Sequence, residues 1–468
     1  MRGLRETWGQ RSRKDLSDSV RNELMKTTRT TKSPTAKRDT VLLRPLADGS
    51  KGAREQLKRL ALRGEGPRGV EDAVRRILDA VRKDGDKAVA RYTQEFDGVR
   101  VVPSSFEVSA KEITAARRRV PKDLIAALES AHERIRAFHL LQREKSFEKK
   151  ERGIRTGMRV SPLARAGVYV PGGKAAYPSS VLMNIVPAKV AGVGDITVVT
   201  PPGRDGIPDA VLVAASIAGA TRVLRIGGAQ AVAALAYGTK TIARVDKIVG
   251  PGNIFVATAK RLVFGEVDID MVAGPSEVLI VTDDAADPEW VAADMLAQAE
   301  HDELAASICI TTSSAHARAV ALALQRQCSE LSRASIAARS LERFGTILVV
   351  RTLARACEIA NEIAPEHLEV FTRRPRTLVA KLHNAGAIFV GSMTTESIGD
   401  YAAGPNHVLP TGGCARFASP LGVYDFVKRT SIIEVDRTGF ERLAPVVVRL
   451  ATAEGLDAHA LAVLRRIP

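Results

Sequence analysis

Two long stretches in the first third of the chain carry apolar residues at helical spacing. In the first, the apolar positions are Val70, Ala73, Val74, Ile77, Leu78 and Val81, and Gly85 follows as a stop signal. In the second, over residues 122–144, one face holds Leu124, Ala127, Ala131 and Ile135. This pattern predicts two amphipathic helices ahead of any sheet.

From Gly167 onward, short apolar runs alternate with helical patterns. The predicted strands are 196–200, 223–226, 247–249, 278–282, 307–312, 345–350 and 387–390. The predicted helices between them are 208–220, 229–237, 253–264, 287–301 and 315–328. Strands that alternate with helices of about 10–15 residues indicate parallel sheets that are covered by helices on both faces.

A break at Ala273-Gly274-Pro275 separates two such runs, so the pattern predicts an α/β protein with two doubly wound domains. In sheets of this kind, ligands bind outside the carboxyl ends of the strands, where this chain has Gly-rich turns. No GxGxxG motif follows any of these predicted strands. A dinucleotide would therefore have to be held without the usual glycine-rich phosphate loop.

The formal net charge of +16 raises the question of a nucleic-acid partner. Residues 1–40 contribute 11 Lys and Arg against 5 Asp and Glu, and aromatic residues make up only 4% of the chain. Stacking platforms for bases are therefore scarce, and we expect no nucleic-acid partner. The remaining charge suits a solvated surface and would also suit an anionic dinucleotide.

Residues 1–40 are polar, basic and poorly periodic, which predicts a disordered extension. Their five acidic residues disfavour an import signal. The four cysteines, Cys309, Cys328, Cys357 and Cys414, form no CxxC pair and favour a reducing cytosol. No apolar run approaches the ~20 residues of a membrane helix, so we expect a cytoplasmic protein without a membrane segment.

Gln298 and His301 lie three residues apart on a predicted helix, so both side chains project from one face. That spacing suits a metal ion, and histidine is the commonest metal ligand. Glutamine, however, is a rare ligand. Spacing alone therefore favours a polar helix end with a solvated histidine.

Pro365-Glu366-His367 closes the predicted helix that carries Ala356, Ile359 and Ile363. Adjacent residues on a helix or turn point in different directions. A carboxylate and an imidazole placed side by side can therefore carry out two separate proton transfers on one substrate. An ordinary exposed Glu-His pair explains the same residues equally well.

Three further segments have both a functional and an ordinary interpretation. Residues 399–407 are rich in Gly and Pro around Asp400 and His407, which suits a binding loop or a surface turn. Glu454 and His459 follow an apolar helical stretch, and taken alone they favour a solvated helix face. Residues 167–173 read as a strand running into a tight turn, whose backbone amides could bind an anion.

Taken together and in this order, a set of short runs closely resembles the histidinol dehydrogenase family. The runs are 168–173 (VYVPGG), 177–184 (YPSSVLMN), 227–231 (GGAQA), 250–253 (GPGN), 268–277 (DIDMVAGPSE), 297–302 (AQAEHD), 364–369 (APEHLE), 399–401 (GDY), 406–411 (NHVLPT), and 453–454 (AE) with His459. Any one of them could arise by chance, but the ordered set is specific. The resemblance covers roughly residues 41–468.

The resemblance implies a role for each matching residue. One zinc ion per subunit would be bound by Gln298, His301, Asp400 and His459. The catalytic pair would be Glu366 and His367, and NAD would be contacted by Tyr169, Gln230 and Asn253. The implied substrate contacts are Ser276, Gln298, His301, His367, Asp400, Glu454 and His459.

The implied reaction belongs to histidine biosynthesis: L-histidinol is oxidised to L-histidine in two hydride transfers that use two NAD⁺ and one water. His367 would take the alcohol proton, and Glu366 would activate the water that hydrates the intermediate histidinal. Zinc would mainly position the substrate. Glu454 and Ser276 would bind the polar ends of the substrate.

The resemblance also implies a homodimer in which the C-terminal segment reaches the neighbouring active site, so that Glu454 and His459 act in trans. The expected architecture is two Rossmann-like domains without the glycine motif, plus helical N-terminal and small C-terminal segments. The expected boundaries are 1–40 for the extension, 41–65 for the N-terminal segment, 66–175 with 276–419 for the first domain, 176–275 for the second, and 420–468 for the dimer-exchange segment.

Three alternatives stay open from the sequence. A dehydrogenase on the same scaffold could oxidise another small polar alcohol, although Glu454 disfavours an anionic substrate. A zinc hydrolase could use a metal-bound water together with Glu366. A basic nucleic-acid-binding protein would need a contiguous Lys/Arg face, which the sequence does not clearly supply.

Overall fold

The computed structural model describes residues 42–63, 69–172 and 177–467. The extension predicted over residues 1–40 lies outside this range. Within it, two parallel sheets are each covered by helices, and a third, antiparallel sheet connects the chain's middle to its C-terminal part. The predicted α/β class with doubly wound sheets is confirmed.

The strands, in chain order, are β1 (Leu46–Ala47), β2 (Phe147–Glu151), β3 (Ile154–Pro162), β4 (Arg165–Tyr169), β5 (Asp195–Val199), β6 (Arg222–Leu224), β7 (Lys247–Val249), β8 (Asp268–Ile269), β9 (Glu277–Thr282), β10 (Ala306–Thr311), β11 (Thr346–Val349), β12 (His367–Phe371), β13 (Ala387–Val390) and β14 (Val427–Val435).

The α-helices are α1 (Lys51–Ala61), α2 (Val70–Asp84), α3 (Asp86–Asp97), α4 (Ala110–Arg119), α5 (Lys122–Leu140), α6 (Pro178–Ala191), α7 (Asp209–Ala218), α8 (Gly228–Tyr237), α9 (Ile254–Val263), α10 (Pro288–Ala299), α11 (Ser314–Cys328), α12 (Ala334–Phe344), α13 (Leu353–Ile363), α14 (Arg376–Val379), α15 (Glu396–Ile398), α16 (Arg437–Ala453) and α17 (Asp457–Leu464). None of the helices in the described ranges is long and apolar enough to cross a membrane.

The two parallel sheets share one winding pattern. The five-stranded sheet has the order β6-β5-β4-β7-β8, and the six-stranded sheet has the order β1-β11-β10-β9-β12-β13. Apart from the edge strand β1, each begins at a central strand, extends to one side, and then reverses to the other side. The reversal lies between β4 and β7 in one sheet and between β9 and β12 in the other, and such switch points form crevices.

Local sequence explains the main elements. In α2, the buried residues Val74, Ile77, Leu78 and Val81 form one face, and Gly85 ends the helix with a positive φ of 54°. In α10, the Asp287 side chain caps the first turn by accepting the Glu289 N–H. Every residue of β9 is buried, as expected for a central strand covered on both faces.

The helices at residues 70–97 pack against the five-stranded sheet, in one apolar cluster with residues of α8 and α9. Strand β4 also belongs to that sheet. This packing differs from the sequence division, which grouped residues 66–175 with 276–419. The boundaries themselves are still predictions.

The antiparallel sheet β14-β3-β2 was not predicted. Its strands carry mostly polar and half-exposed residues, so they lack the continuous apolar run that identified the other strands. The segment around Pro365-Glu366-His367 also differs from its prediction as the end of a helix. Helix α13 ends at Ile363, Ala364 adopts a positive φ of 53°, and His367 begins β12.

Candidate active site

The catalytic candidates lie at the amino edge of the six-stranded sheet. His367 is the first residue of β12, directly after Glu366, and it lies in register with Val278 of β9. Gln298 lies near the end of α10. Because a helix of a parallel α/β unit runs back against the strands, its last turn returns to this edge. The cluster therefore lies at the edge opposite to the carboxyl ends where ligands were expected.

The backbone of Glu277 holds both members of the pair. Its N–H donates to Glu366 Oε2 at 3.0 Å, and its carbonyl accepts from His367 Nδ1 at 3.2 Å. Since a carbonyl only accepts, Nδ1 carries the proton of the neutral ring. His367 Nε2 is buried and has no hydrogen-bond partner among the described residues. The nearest acceptor to that nitrogen is Asp400 Oδ1, so Nε2 is the ring atom that can exchange a proton with a bound substrate.

Three carboxylates surround the His367 ring. Asp400 Oδ1 lies 3.5 Å from Nε2, while Glu366 Oε2 and Glu396 Oε1 each lie 3.8 Å from Nδ1. Burial lowers the pKa of His367, but the negative charges of Glu396, Glu366 and Asp400 outweigh it and raise the pKa well above its usual value. The ring is thus poised as a base at high pH and as an acid at lower pH.

Burial has the opposite consequence for the two glutamates. It raises the pKa of Glu366 to about 7 and that of Glu396 to about 8, although the neighbouring His367 acts to lower both. A carboxyl group that titrates near neutrality can exchange protons during a reaction. The cluster therefore holds two neighbouring groups, Glu366 and His367, with the properties of an acid-base pair.

Gln298 is fully buried beside Glu396. With its amide nitrogen facing Glu396, it donates to the two carboxylate oxygens at 3.2 and 3.3 Å, which leaves the amide oxygen free. His301 lies in the exposed turn after α10, so the two residues do not share one helix as predicted. Desolvation lowers the pKa of His301, and Asp400 and His367 are close enough to shift it further, in opposite directions.

Asp400 lies in a π-helical turn, Gly399–Ala403, that follows α15 directly. Such turns are rare and often occur at functional sites. His407 Nδ1 donates to the Asp400 carbonyl at 2.9 Å, and Ser180 Oγ lies 3.3 Å from His407 Nε2. The turn that presents Asp400 is therefore tied to α6, which packs on the five-stranded sheet.

The donor atoms here suit a divalent cation. The ligand atoms of His367, Glu396 and Asp400 lie within 4.8 Å of one another. The set predicted from the sequence, Gln298, His301, Asp400 and His459, shares only Asp400 with this cluster and would leave His367 free for proton transfer. Nitrogen and oxygen donors with few charges are typical of catalytic zinc sites.

Three predicted site residues lie apart from these contacts. Ser276 is half-buried directly before Glu277, and its carbonyl accepts the Ala306 N–H at 3.0 Å. Glu454 and His459 are exposed on the C-terminal helices. Neither of these two side chains forms a hydrogen bond or an ion pair with the cluster in the part of this protomer that is described.

The cofactor candidates lie at the opposite kind of edge, around the carboxyl ends of the five-stranded sheet. Tyr169 ends β4, and its hydroxyl accepts the Gly228 N–H at 3.1 Å, while burial raises its pKa to about 12. Gln230 is fully buried, and neither amide atom has a partner in the described chain. Asn253 caps α9 by accepting the N–H groups of the helix's second and third residues.

Several buried carboxylates were missed by the sequence analysis. Glu396 lies in a segment without a recognisable motif, so no local signal identified it. Glu277 and Glu369 lie within otherwise apolar strands, and an acid at such a place is itself a signal. Glu369 Oε1 accepts the backbone N–H of Glu396 at 2.8 Å and so anchors the start of α15.

The fold and the cluster together are those of an α/β enzyme with a buried Glu-His pair at one sheet and a switch-point crevice at the other. Residues 63–467 match the profile of the histidinol dehydrogenase family. The chain is 57% identical to a histidinol dehydrogenase from Aquifex aeolicus over 410 residues, which are 87% of this chain and 95% of that protein.

A second relative, a histidinol dehydrogenase from Syntrophotalea carbinolica, is 52% identical over 410 residues and is matched over 95% of its length. The crystal structure of histidinol dehydrogenase from Elizabethkingia anophelis superposes with a TM-score of 0.84 at 36% identity, covering 88% of this chain and 96% of that one. The chain belongs to the histidinol dehydrogenase family, a family of oxidoreductases.

Proposed function

We propose that this protein oxidises L-histidinol to L-histidine in two successive steps, with NAD as hydride acceptor and zinc as the metal that holds the substrate. The observation that carries the proposal is the buried Glu366-His367 pair, in which His367 Nε2 has no hydrogen-bond partner among the described residues. Membership of the family supports the choice of substrate.

The charge of the cluster supports a cationic occupant. Glu366, Glu369 and Glu396 are all buried, and Asp400 Oδ1 lies 3.5 Å from Nε2 of the His367 ring. Buried carboxylates are costly unless a positive charge accompanies them. A divalent metal together with the amine of histidinol would supply that charge.

Zinc would be held by Gln298, His301 and Asp400 of one subunit, and His459 would complete the set. When bound, the metal would polarise and orient the substrate's amine and imidazole nitrogens. Glu396 supports this arrangement because it accepts the Gln298 amide N–H groups and leaves the amide oxygen as the donor. Substrate contacts from Ser276 and Glu454 complete the proposal.

NAD would occupy the switch-point crevice of the five-stranded sheet, next to Tyr169, Gln230 and Asn253. When bound there, it would accept one hydride in each oxidation. The unpartnered amide of Gln230 supports this location, since a buried polar group without a partner indicates a missing ligand. The crevice also lies where doubly wound sheets bind nucleotides.

In the first oxidation, His367 Nε2 takes the proton from the substrate hydroxyl. The Glu277 carbonyl holds the Nδ1–H, so the ring keeps the tautomer in which Nε2 is the base. The surrounding carboxylates then stabilise the imidazolium that forms, in the way that a carboxylate stabilises the histidine of a hydrolase triad.

In the second stage, Glu366 takes a proton from the water that adds to the aldehyde. The Glu277 N–H at 3.0 Å fixes the orientation of this carboxylate, and its pKa of about 7 suits a base at neutral pH. After passing its first proton to solvent, His367 removes the proton of the hydrate's hydroxyl as the second oxidation proceeds. The two residues thus carry out distinct proton transfers on one bound substrate.

The C-terminal helices would pair with a second copy of the chain. Leu443, Val446, Val447 and Leu450 on α16 are large apolar residues that stay exposed in one protomer, as do Leu461 and Leu464 on α17. Such an apolar surface supports a homodimer interface. In that dimer Glu454 and His459 would serve the neighbouring active site.

The test is an assay of NADH release from L-histidinol, with and without a chelator, that counts NADH formed per substrate consumed. The proposal expects two NADH per histidinol and a loss of activity on metal removal. One NADH with release of the aldehyde would contradict the second stage. No NADH at any pH would contradict the proposed oxidation, and turnover of a different small alcohol would redirect the substrate assignment.

A further inference from the structure

The turn Gly250-Pro251-Gly252-Asn253 follows β7 and borders the crevice of the five-stranded sheet. Gly250 has a φ of +106°, and a Cβ at this position would collide with the backbone oxygen of Tyr169. The turn therefore packs closely against the end of β4, and only glycine fits there. Its conformation decides where Asn253 lies.

Two buried charged side chains form hydrogen bonds with the backbone of this turn. Lys260 of α9 donates to the Gly250 carbonyl at 2.8 Å, and Asp270 accepts the Gly250 N–H at 2.7 Å. Lys260 and Asp270 also form an ion pair with each other, and their side chains are only 2% and 1% exposed. Both hydrogen-bonding groups of Gly250 are therefore bound to one ion pair.

Stability alone does not explain a pair of this kind. Removing two charges from water is costly, and a well-packed apolar pair is often as stable or more stable. What the ion pair supplies is geometry, because a carboxylate and an ammonium group together dictate the direction of one peptide's N–H and carbonyl. The sequence run DID at residues 268–270 gave no hint of this contact.

We propose that Lys260 and Asp270 are positioning residues for the dinucleotide. They fix the Gly250 peptide, and through it they hold the 250–253 turn in the conformation that presents Asn253 and the adjacent backbone to the cofactor. This inference rests on the proposed function, since it takes NAD to bind beside this turn.

The substrate site is anchored independently of this pair. Asp270 also accepts the N–H of Met271, which begins the segment leading to Ser276. Further along, however, the Gly274 N–H donates to Thr411 Oγ1 at 2.6 Å, so the end near Ser276 has its own hydrogen bond. Loss of the ion pair is therefore expected to act on the cofactor and to leave the binding of histidinol and metal in place.

The test is the double variant Lys260→Met/Asp270→Asn, which removes both charges and leaves no unpaired ion in the interior. Isothermal titration of NAD⁺ into the metal-loaded, full-length protein is expected to give a Kd that is raised about tenfold, the result of releasing one or two turn residues from a fixed conformation. The KM for histidinol and the metal content are expected to stay as in the parent protein.

Lys247→Met is the matched control. Lys247 is a buried lysine that opens the same strand, β7, and pairs with Asp268 at 2.8 Å, so it lies at the opposite edge of the sheet. Its loss is expected to lower the melting temperature without changing the Kd for NAD⁺. An unchanged Kd in the double variant, or equal losses of NAD⁺ and histidinol binding, would overturn the proposal. Absence of NAD⁺ binding by the parent protein would instead contradict the proposed function.

Discussion

The two parallel sheets have the same winding order but present their candidate residues at opposite edges. In the five-stranded sheet, Tyr169 and the 250–253 turn lie at the carboxyl ends of β4 and β7. In the six-stranded sheet, Glu366 and His367 lie at the amino end of β12. A common topology therefore does not determine which edge carries the chemistry.

The carboxyl edge of the six-stranded sheet explains part of this difference. At the switch point between β9 and β12, Asp283 accepts the N–H groups of Ala285 and Arg373 at 2.9 and 3.0 Å. Arg373 in turn pairs with Asp284 at 2.9 Å. The polar groups at this switch point are thus paired with one another, whereas Gln230 near the other switch point has no partner among the described residues.

The division of labour that we infer gives one sheet the proton chemistry and the other the cofactor. Variants at the two edges should then separate, since one set changes turnover and the other changes the affinity for NAD⁺. The largest effect is expected on replacing the proton-transfer residue, and smaller effects are expected for a metal ligand, for the base that activates water and for a single cofactor contact.

The largest effect is expected for His367→Asn. The asparagine keeps a polar group near the Glu277 carbonyl but cannot accept the alcohol proton at the Nε2 position. We expect kcat to fall by about 10²–10⁴-fold, the range that general acid-base catalysis contributes. Titration with NAD⁺ should give the parent Kd, and a parallel loss of NAD⁺ affinity would contradict the separation of the two edges.

His301→Ala is expected to weaken metal binding by about 100-fold or more, since even an outer contact of a metal ligand contributes up to about 100-fold. Metal analysis after gel filtration, with a chelator as competitor, measures this directly. His383→Ala is the control, because His383 is also exposed but lies in the loop after α14. A metal-free, fully active His301 variant would refute the ligand assignment.

Glu366→Gln is expected to slow the oxidation of histidinal by about 10²-fold while affecting the first oxidation less. The raised pKa of Glu366, about 7, makes the basic form appear only above that pH. The rate of the second stage in the parent protein should therefore rise as the pH increases through about 7, and this limb should vanish in the variant. Equal slowing of both stages would argue against Glu366 as the base for water.

Sequence patterns were most informative where burial on both faces left a continuous apolar run. Strand β9 and helix α2 were predicted nearly to their ends for that reason. The antiparallel strands were missed because β2 and β14 are largely exposed, so no apolar pattern selects them. Strand β14 also pairs with β3, from which it lies more than 250 residues away in the sequence.

For a related reason, the sequence predicted only some of the residues of the candidate site. Glu366, His367 and Asp400 belong to recognisable motifs, and the fold brings them together around one ring. Glu396 and Glu277 act through tertiary contacts that sequence spacing does not encode. The Glu396 carboxylate accepts from the Gln298 amide, and the Glu277 carbonyl accepts from His367 Nδ1. In our proposal, Glu454 and His459 act from a second subunit.

The smallest effects are expected for Gln230→Leu, which should raise the stability of the protein and weaken its binding of NAD⁺. Leucine matches glutamine in size but removes an amide that is buried without a hydrogen-bond partner in the described chain. Since an unpaired buried polar group costs about 1–3 kcal/mol, the free energy of unfolding of the cofactor-free protein should rise. Binding of NAD⁺ should weaken by about 2–10-fold, the worth of one hydrogen bond.

Urea unfolding and calorimetric titration on the same preparation test both signs, and Gln327→Leu is the control. Gln327 donates to Glu289 at 2.8 Å, so its replacement is expected to lower stability and to leave the Kd for NAD⁺ unchanged. A Gln230→Leu variant that is more stable yet binds NAD⁺ as tightly as the parent protein would show that the unpartnered amide does not contact the cofactor. The crevice of the five-stranded sheet would then lose its main support as the cofactor site, because the unpartnered amide is the feature that distinguishes it from the other switch point.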